Sequence, residues 1–108
     1  MIDYNGRRFR KADGDTGTIA VYHQDGDAVW GEIAGGEVRH GAIAGTRQPD
    51  GTLHLGYTVV LADGDEVVCG HTVNTPEVDE SGAIRLHEQW ERHVPQAATG
   101  TSYLEEVR

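Results

Sequence analysis

Glycine-bearing turns divide this chain into runs that alternate between apolar and polar residues, with a turn about every ten residues: DGD at 25–27, GG at 35–36, PDG at 49–51, ADGD at 62–65 and DESG at 79–82. Such clusters supply the tight reversals that join antiparallel strands. The runs between them predict eight strands, over residues 4–11, 16–24, 28–34, 37–47, 52–61, 66–76, 83–94 and 101–107. The one helix-like stretch, SYLEEVR at 102–108, is short and follows glycine and threonine, so it suits a closing strand as well as a helix. Connections of two to five residues make consecutive strands pair. The expected fold is therefore all-β, a single antiparallel up-and-down meander. Its first and last strands would be exposed edges, and closure into a barrel removes both.

Charge supports that closure. Arg7, Arg8, Arg10 and Lys11 place four of the nine basic residues on the first strand, while Glu105 and Glu106 lie on the last. Opposite charges on neighbouring strands contribute roughly 0.2–1 kcal/mol per pair, enough to favour a register once the strands meet.

Alternation also assigns an inner face. On the fifth strand Leu53, Leu55, Tyr57, Val59 and Leu61 share one side and are expected to point inward. On the seventh, Ile84, Leu86, Glu88 and Trp90 share a side, which brings one carboxylate among apolar neighbours. For the sixth strand Val67, Cys69, His71 and Val73 are taken as inward, with Val68 arguing for the opposite register. Glu88 stands out, because a buried carboxylate must be hydrogen-bonded, paired or protonated. It reads either as a polar anchor or acid/base group with a raised pKa, or as a core carboxylate satisfied by neighbouring donors. Tyr22, Trp30, Tyr57 and Trp90 fall near the middles of their strands, where they either line a cavity or fill the barrel. Ala20, Ala34, Ala42 and Ala44 leave room if they face inward. The expected ligand-binding set is Glu88, Tyr57, Trp90, Trp30, Tyr22 and His71.

Composition narrows the possible functions by exclusion. The chain has 108 residues, suited to one domain spanning 1–108. Eighteen acidic against nine basic side chains give a net charge of −9, which repels nucleic acid and anionic membrane surfaces. Cys69 is the only cysteine and follows Val67 and Val68, apolar neighbours that suggest an inert buried thiol. The start MIDYNGRRFRK has basic residues without the apolar run of a signal peptide, so a cytoplasmic location is expected. His23, His40, His54, His71, His87 and His93 show none of the close spacings that mark a metal pair, so no metal is expected. No P-loop, dinucleotide fingerprint or nucleophile elbow occurs, and no cofactor is expected.

The opening DYNGRRFR, the hairpin GDAVWGEIAGGEVRHGAIAG and the ending GAIRLHEQWERH with GTSYLEEV resemble a family of small bacterial proteins commonly labelled N-acetylglutamate synthase. The likeness covers nearly the whole chain. That label implies acetyl transfer from coenzyme A, for which related enzymes use a Q/RxxGxG/A loop ahead of a helix. Here Gln48 and Gly51 are followed by Leu53 inside a tight hairpin, with no helix to supply the anion site. The family also resembles the calycin-type barrels, which include lipocalins, fatty-acid-binding proteins and avidins, and this implies a barrel that binds small molecules. That likeness is architectural and carries no residue-level role.

Three readings follow. The barrel binds a small apolar or amphipathic molecule, with the aromatic residues lining the pocket and Glu88 fixing orientation. Alternatively it is a cofactor-free isomerase or cyclase using Glu88 as acid or base, with His71 or Tyr57 as its partner. Thirdly, it is a solid barrel that assembles through its exterior, as a homodimer. Monomer and homodimer are both compatible with the sequence.

Overall fold

The computed structural model describes residues 2–108. Eight strands form it: β1 (Arg8–Lys11), β2 (Ile19–Asp25), β3 (Ala28–Gly35), β4 (Val38–Arg47), β5 (Leu53–Leu61), β6 (Val67–Val78), β7 (Ile84–Val94) and β8 (Ala98–Glu106). Each pairs antiparallel with its sequence neighbours, and β1 pairs with β8 to close the barrel. The SYLEEVR stretch is thus a closing strand up to Glu106. The charges expected to guide closure do meet. Arg7 donates to both carboxylate oxygens of Glu106, at 3.0 and 2.9 Å, and Arg10 pairs with Glu105 at 3.0 Å.

The first predicted strand is shortened. The strand is Arg8–Lys11; Gly6 and Arg7 still exchange backbone hydrogen bonds with Tyr22, and the segment before them folds beneath the barrel instead. Its anchor is Tyr4, fully buried, whose hydroxyl donates to the Gly51 carbonyl at 2.6 Å. The Tyr4 amide donates to Gln24, and Arg47 donates to the Ile2 carbonyl at 2.6 Å. Gly51, at φ 91°, turns the β4–β5 hairpin in the left-handed region open to glycine. A side chain there would also strike Ile2 and Pro76. The turn and the segment under it therefore fit as one piece.

Tyr4, Phe9, Val29, Leu53 and Leu86, each no more than 1% exposed, make a packed floor at this end. Pro76, which lacks an amide donor, stands where β6 is paired with β7 alone, because pairing with β5 ends at Asn74. At the opposite end lie the 12–18, 36–37, 62–66 and 95–97 connections. Asp15 ties two of them together: its carboxylate accepts from the amides of Gly17 and Glu37, at 3.2 and 2.9 Å. These hydrogen bonds hold the Asp15 carboxyl below the usual carboxylate range, the Thr18 hydroxyl contributing most.

Candidate functional site

The upper half of the barrel is hollow. A cavity of about 320 Å³ opens between the loops and descends to the aromatic floor, at the small end of the roughly 300–1,000 Å³ range of small-molecule sites. The solid interior required by the assembly reading is absent. The wall is mostly apolar: Phe9, Ala20, Ile33, Ile43, Leu55, Val59, Leu61, Val68 and Leu104 contribute to it. Tyr22, Tyr57, Glu88 and Trp90 add the polar and aromatic groups, and the charged residues Arg10, Lys11, Asp15, Glu37 and Arg92 border it.

Two of the aromatic residues sit opposite glycines. Trp90 pairs across strands with Gly100, and Tyr57 with Gly70. A side chain at either glycine would collide with the facing ring. The missing side chains give each ring a bare stretch of backbone to lie on, which sets its position in the wall. Tyr22 forms the bottom of the cavity, its ring centroid 5.0 Å from Phe9 and 6.2 Å from Tyr4. Burial pushes both the Tyr22 and Tyr57 phenols up, and the Glu88 charge pushes them further. Both remain neutral hydroxyls at physiological pH.

Glu88 is the carboxylate expected inside, and it lines the cavity. One oxygen, Oε1, accepts from the Ser102 hydroxyl at 3.1 Å, across the β7–β8 pair. Among the described residues no cationic group lies within ion-pair distance of it. Enclosure in the barrel raises its pKa, and the Ser102 hydrogen bond and the Lys11 charge offset this only in part.

That direction has a measurable consequence. A carboxyl that binds its proton more tightly when folded gives full stability below the unfolded value and loses it as pH rises through the folded one. Glu88→Gln removes this one loss. The variant is expected to melt above the wild type at pH 8, with the difference vanishing as pH drops below the ordinary carboxylate range. Paired thermal melts across that range check it, because the turn carboxylates Asp15, Asp50 and Asp79, all shifted downward, act alike in both proteins.

Two of the six expected site residues lie elsewhere. Trp30 is 42% exposed on the outer face, its ring 5.7 Å from His23, whose imidazole meets Glu32 at 2.8 Å. Val29 and Ile33 take the inner positions of β3, with Gly31 between them passing close to the Val21 carbonyl. His71 is also outward, its ring 6.2 Å from that of His54. The inner face of β6 is Val68, Thr72 and Asn74, not Val67, Cys69, His71 and Val73. Inside, Asn74 donates to Thr72 at 2.9 Å, so this pair partly satisfies itself, whereas a buried imidazole at 71 would have needed a separate partner. Of the four alanines, Ala20 faces the cavity, while Ala34, Ala42 and Ala44 are exposed.

Sequence reasoning missed Thr72, Ser102, Arg92 and Lys11. Thr72 and Ser102 flank the inner residues of β7 in register, opposite Trp90 and Glu88. Alternation from Leu104 alone would have found Ser102. Among the described residues no group of three histidine, cysteine, aspartate or glutamate side chains is placed to hold a metal. No helix is long and apolar enough to cross a membrane. Gln48 and Gly51 lie in the β4–β5 turn at the closed end, where the Gly51 amide donates to the Gln48 carbonyl at 2.9 Å.

A family described as avidin-like protein matches residues 2–107. The X-ray structure of a biotin-binding protein from chicken superposes with a TM-score of 0.70 at 18% sequence identity, covering 98% of this chain and 97% of that one. No curated protein matches the sequence.

Proposed function

Because this chain belongs to the avidin-like protein family, we propose that it binds a small apolar or amphipathic molecule inside its barrel. The observation that carries this reading is the cavity itself, about 320 Å³, closed at one end by packed side chains and open between the loops at the other. An apolar wall with few polar groups removes apolar ligand surface from water, at roughly 25 cal/mol per Å². The polar groups then fix orientation. The chicken structure that shares the fold is named for binding biotin, which supports the barrel interior as the place to look.

Native mass spectrometry of the protein isolated from the cells that make it provides the test. The expected spectrum shows a non-covalent small molecule, released on denaturation. A bare protein mass that gains nothing on incubation with biotin or with the neutral dye N-phenyl-1-naphthylamine would overturn the reading.

A further inference from the structure

The geometry points to a small organic cation as the ligand: an ammonium or amidinium group on an apolar or aromatic body, its charged end seated on the free oxygen of Glu88. This rests on the container reading above and names the chemistry that reading leaves open.

The charges of the cavity divide into two levels. Arg92 stands four residues beyond Glu88 on β7, roughly 13 Å along the strand toward the open end. Lys11, Asp15 and Glu37 end or follow strands at that same end. Arg10 borders the cavity too but is paired with Glu105 at 3.0 Å, and the remaining two positive and two negative groups roughly cancel, so the mouth selects neither sign. Deeper in the wall Glu88 is, among the described residues, the one ionisable group other than the two neutral phenols. Selection by charge therefore falls to it.

Glu88 also lacks what a settled core carboxylate has. Ser102 serves Oε1, while Oε2 has no hydrogen-bond partner among the described residues. Enclosing an anion without a counter-charge is costly, and a ligand cation would supply the missing partner by a charge-assisted hydrogen bond. Trp90, Tyr22 and Tyr57 line the same cavity, and their electron-rich faces attract a cation further. An anionic head group at this depth would meet the Glu88 charge, while the Lys11 charge stands beyond ion-pair distance of Glu88 and offsets it only in part. The chain's net charge of −9 also draws cations toward the mouth.

Calorimetric titration with matched pairs tests the inference: 2-phenylethylamine against 2-phenylethanol and tryptamine against tryptophol, with N-phenyl-1-naphthylamine as a neutral control. In wild-type protein each amine is expected to bind roughly 30-fold more tightly than its alcohol. Glu88→Gln should collapse that preference, and Glu88→Asp should retain most of it. Equal binding of amine and alcohol, with the neutral dye bound, would sink the cation assignment and leave the container reading standing. A preference that survives Glu88→Gln would move the cation off Glu88 and equally refute it. If neither pair nor the dye binds, the container reading falls and this inference with it.

Discussion

Tyr4→Ala is expected to destabilise the barrel by about 3–5 kcal/mol, the range for truncating a fully buried aromatic side chain. Tyr4 has no exposed surface, packs against Phe9 and Tyr22, and donates its hydroxyl to the Gly51 carbonyl of the turn. Truncation leaves a cavity under the floor and an unsatisfied carbonyl in the turn. A small domain has only about 5–15 kcal/mol of stability in total, so the melting temperature should fall by at least ~12 °C. Tyr4→Phe keeps the ring and loses only the hydroxyl, and should cost about 0.5–1.5 kcal/mol. Thermal and urea melts of the two variants separate packing from hydrogen bonding. Near-equal losses would show that the turn, and not the aromatic floor, depends on Tyr4. Because Tyr22 rests on Tyr4 and forms the bottom of the cavity, the alanine variant should also bind ligands less tightly.

Ala20→Phe should abolish binding while sparing the fold. Ala20 sits in the wall, flanked in register by Phe9 and Ile33, with its methyl group turned to the cavity. Adding a ring to a packed core usually costs about 1–3 kcal/mol. Here the ring enters open space, so the melting temperature should stay within a few degrees of wild type or rise. The same ring occupies ligand volume, and affinity for any ligand of the cavity should drop at least ~100-fold, about 2.7 kcal/mol. A large loss of stability would mean that the barrel is packed at this level.

The closed meander was legible because its determinants are local. Turn residues set the strand boundaries, and the run from Leu53 to Leu61 shows its inner face without ambiguity. Glu88 was legible for the same reason: Ile84, Leu86 and Trp90 fix its side of β7. The sixth strand defeated the same logic, because Val67, Val68 and Val73 place apolar residues on both faces. What decides its register is the Thr72–Asn74 hydrogen bond and the facing positions on β5 and β7, and these are long-range. Trp30 misled because a large apolar side chain suggests burial, yet surfaces carry such residues singly. The N-terminal segment reads as strand in isolation. Its place under the barrel depends on Gly51, Gln24 and Arg47, twenty or more residues away.

The two tryptophans offer the most direct measurement, since Trp30 lies outside and Trp90 lines the cavity. In a Trp30→Phe background Trp90 is the only tryptophan left, and its emission reports occupancy of the barrel. Titrating that protein with N-phenyl-1-naphthylamine should quench Trp90 saturably, with one dye per chain, and Ala20→Phe should remove the signal. Quenching that never saturates, or that is the same with Ala20→Phe, would contradict a ligand site inside the barrel.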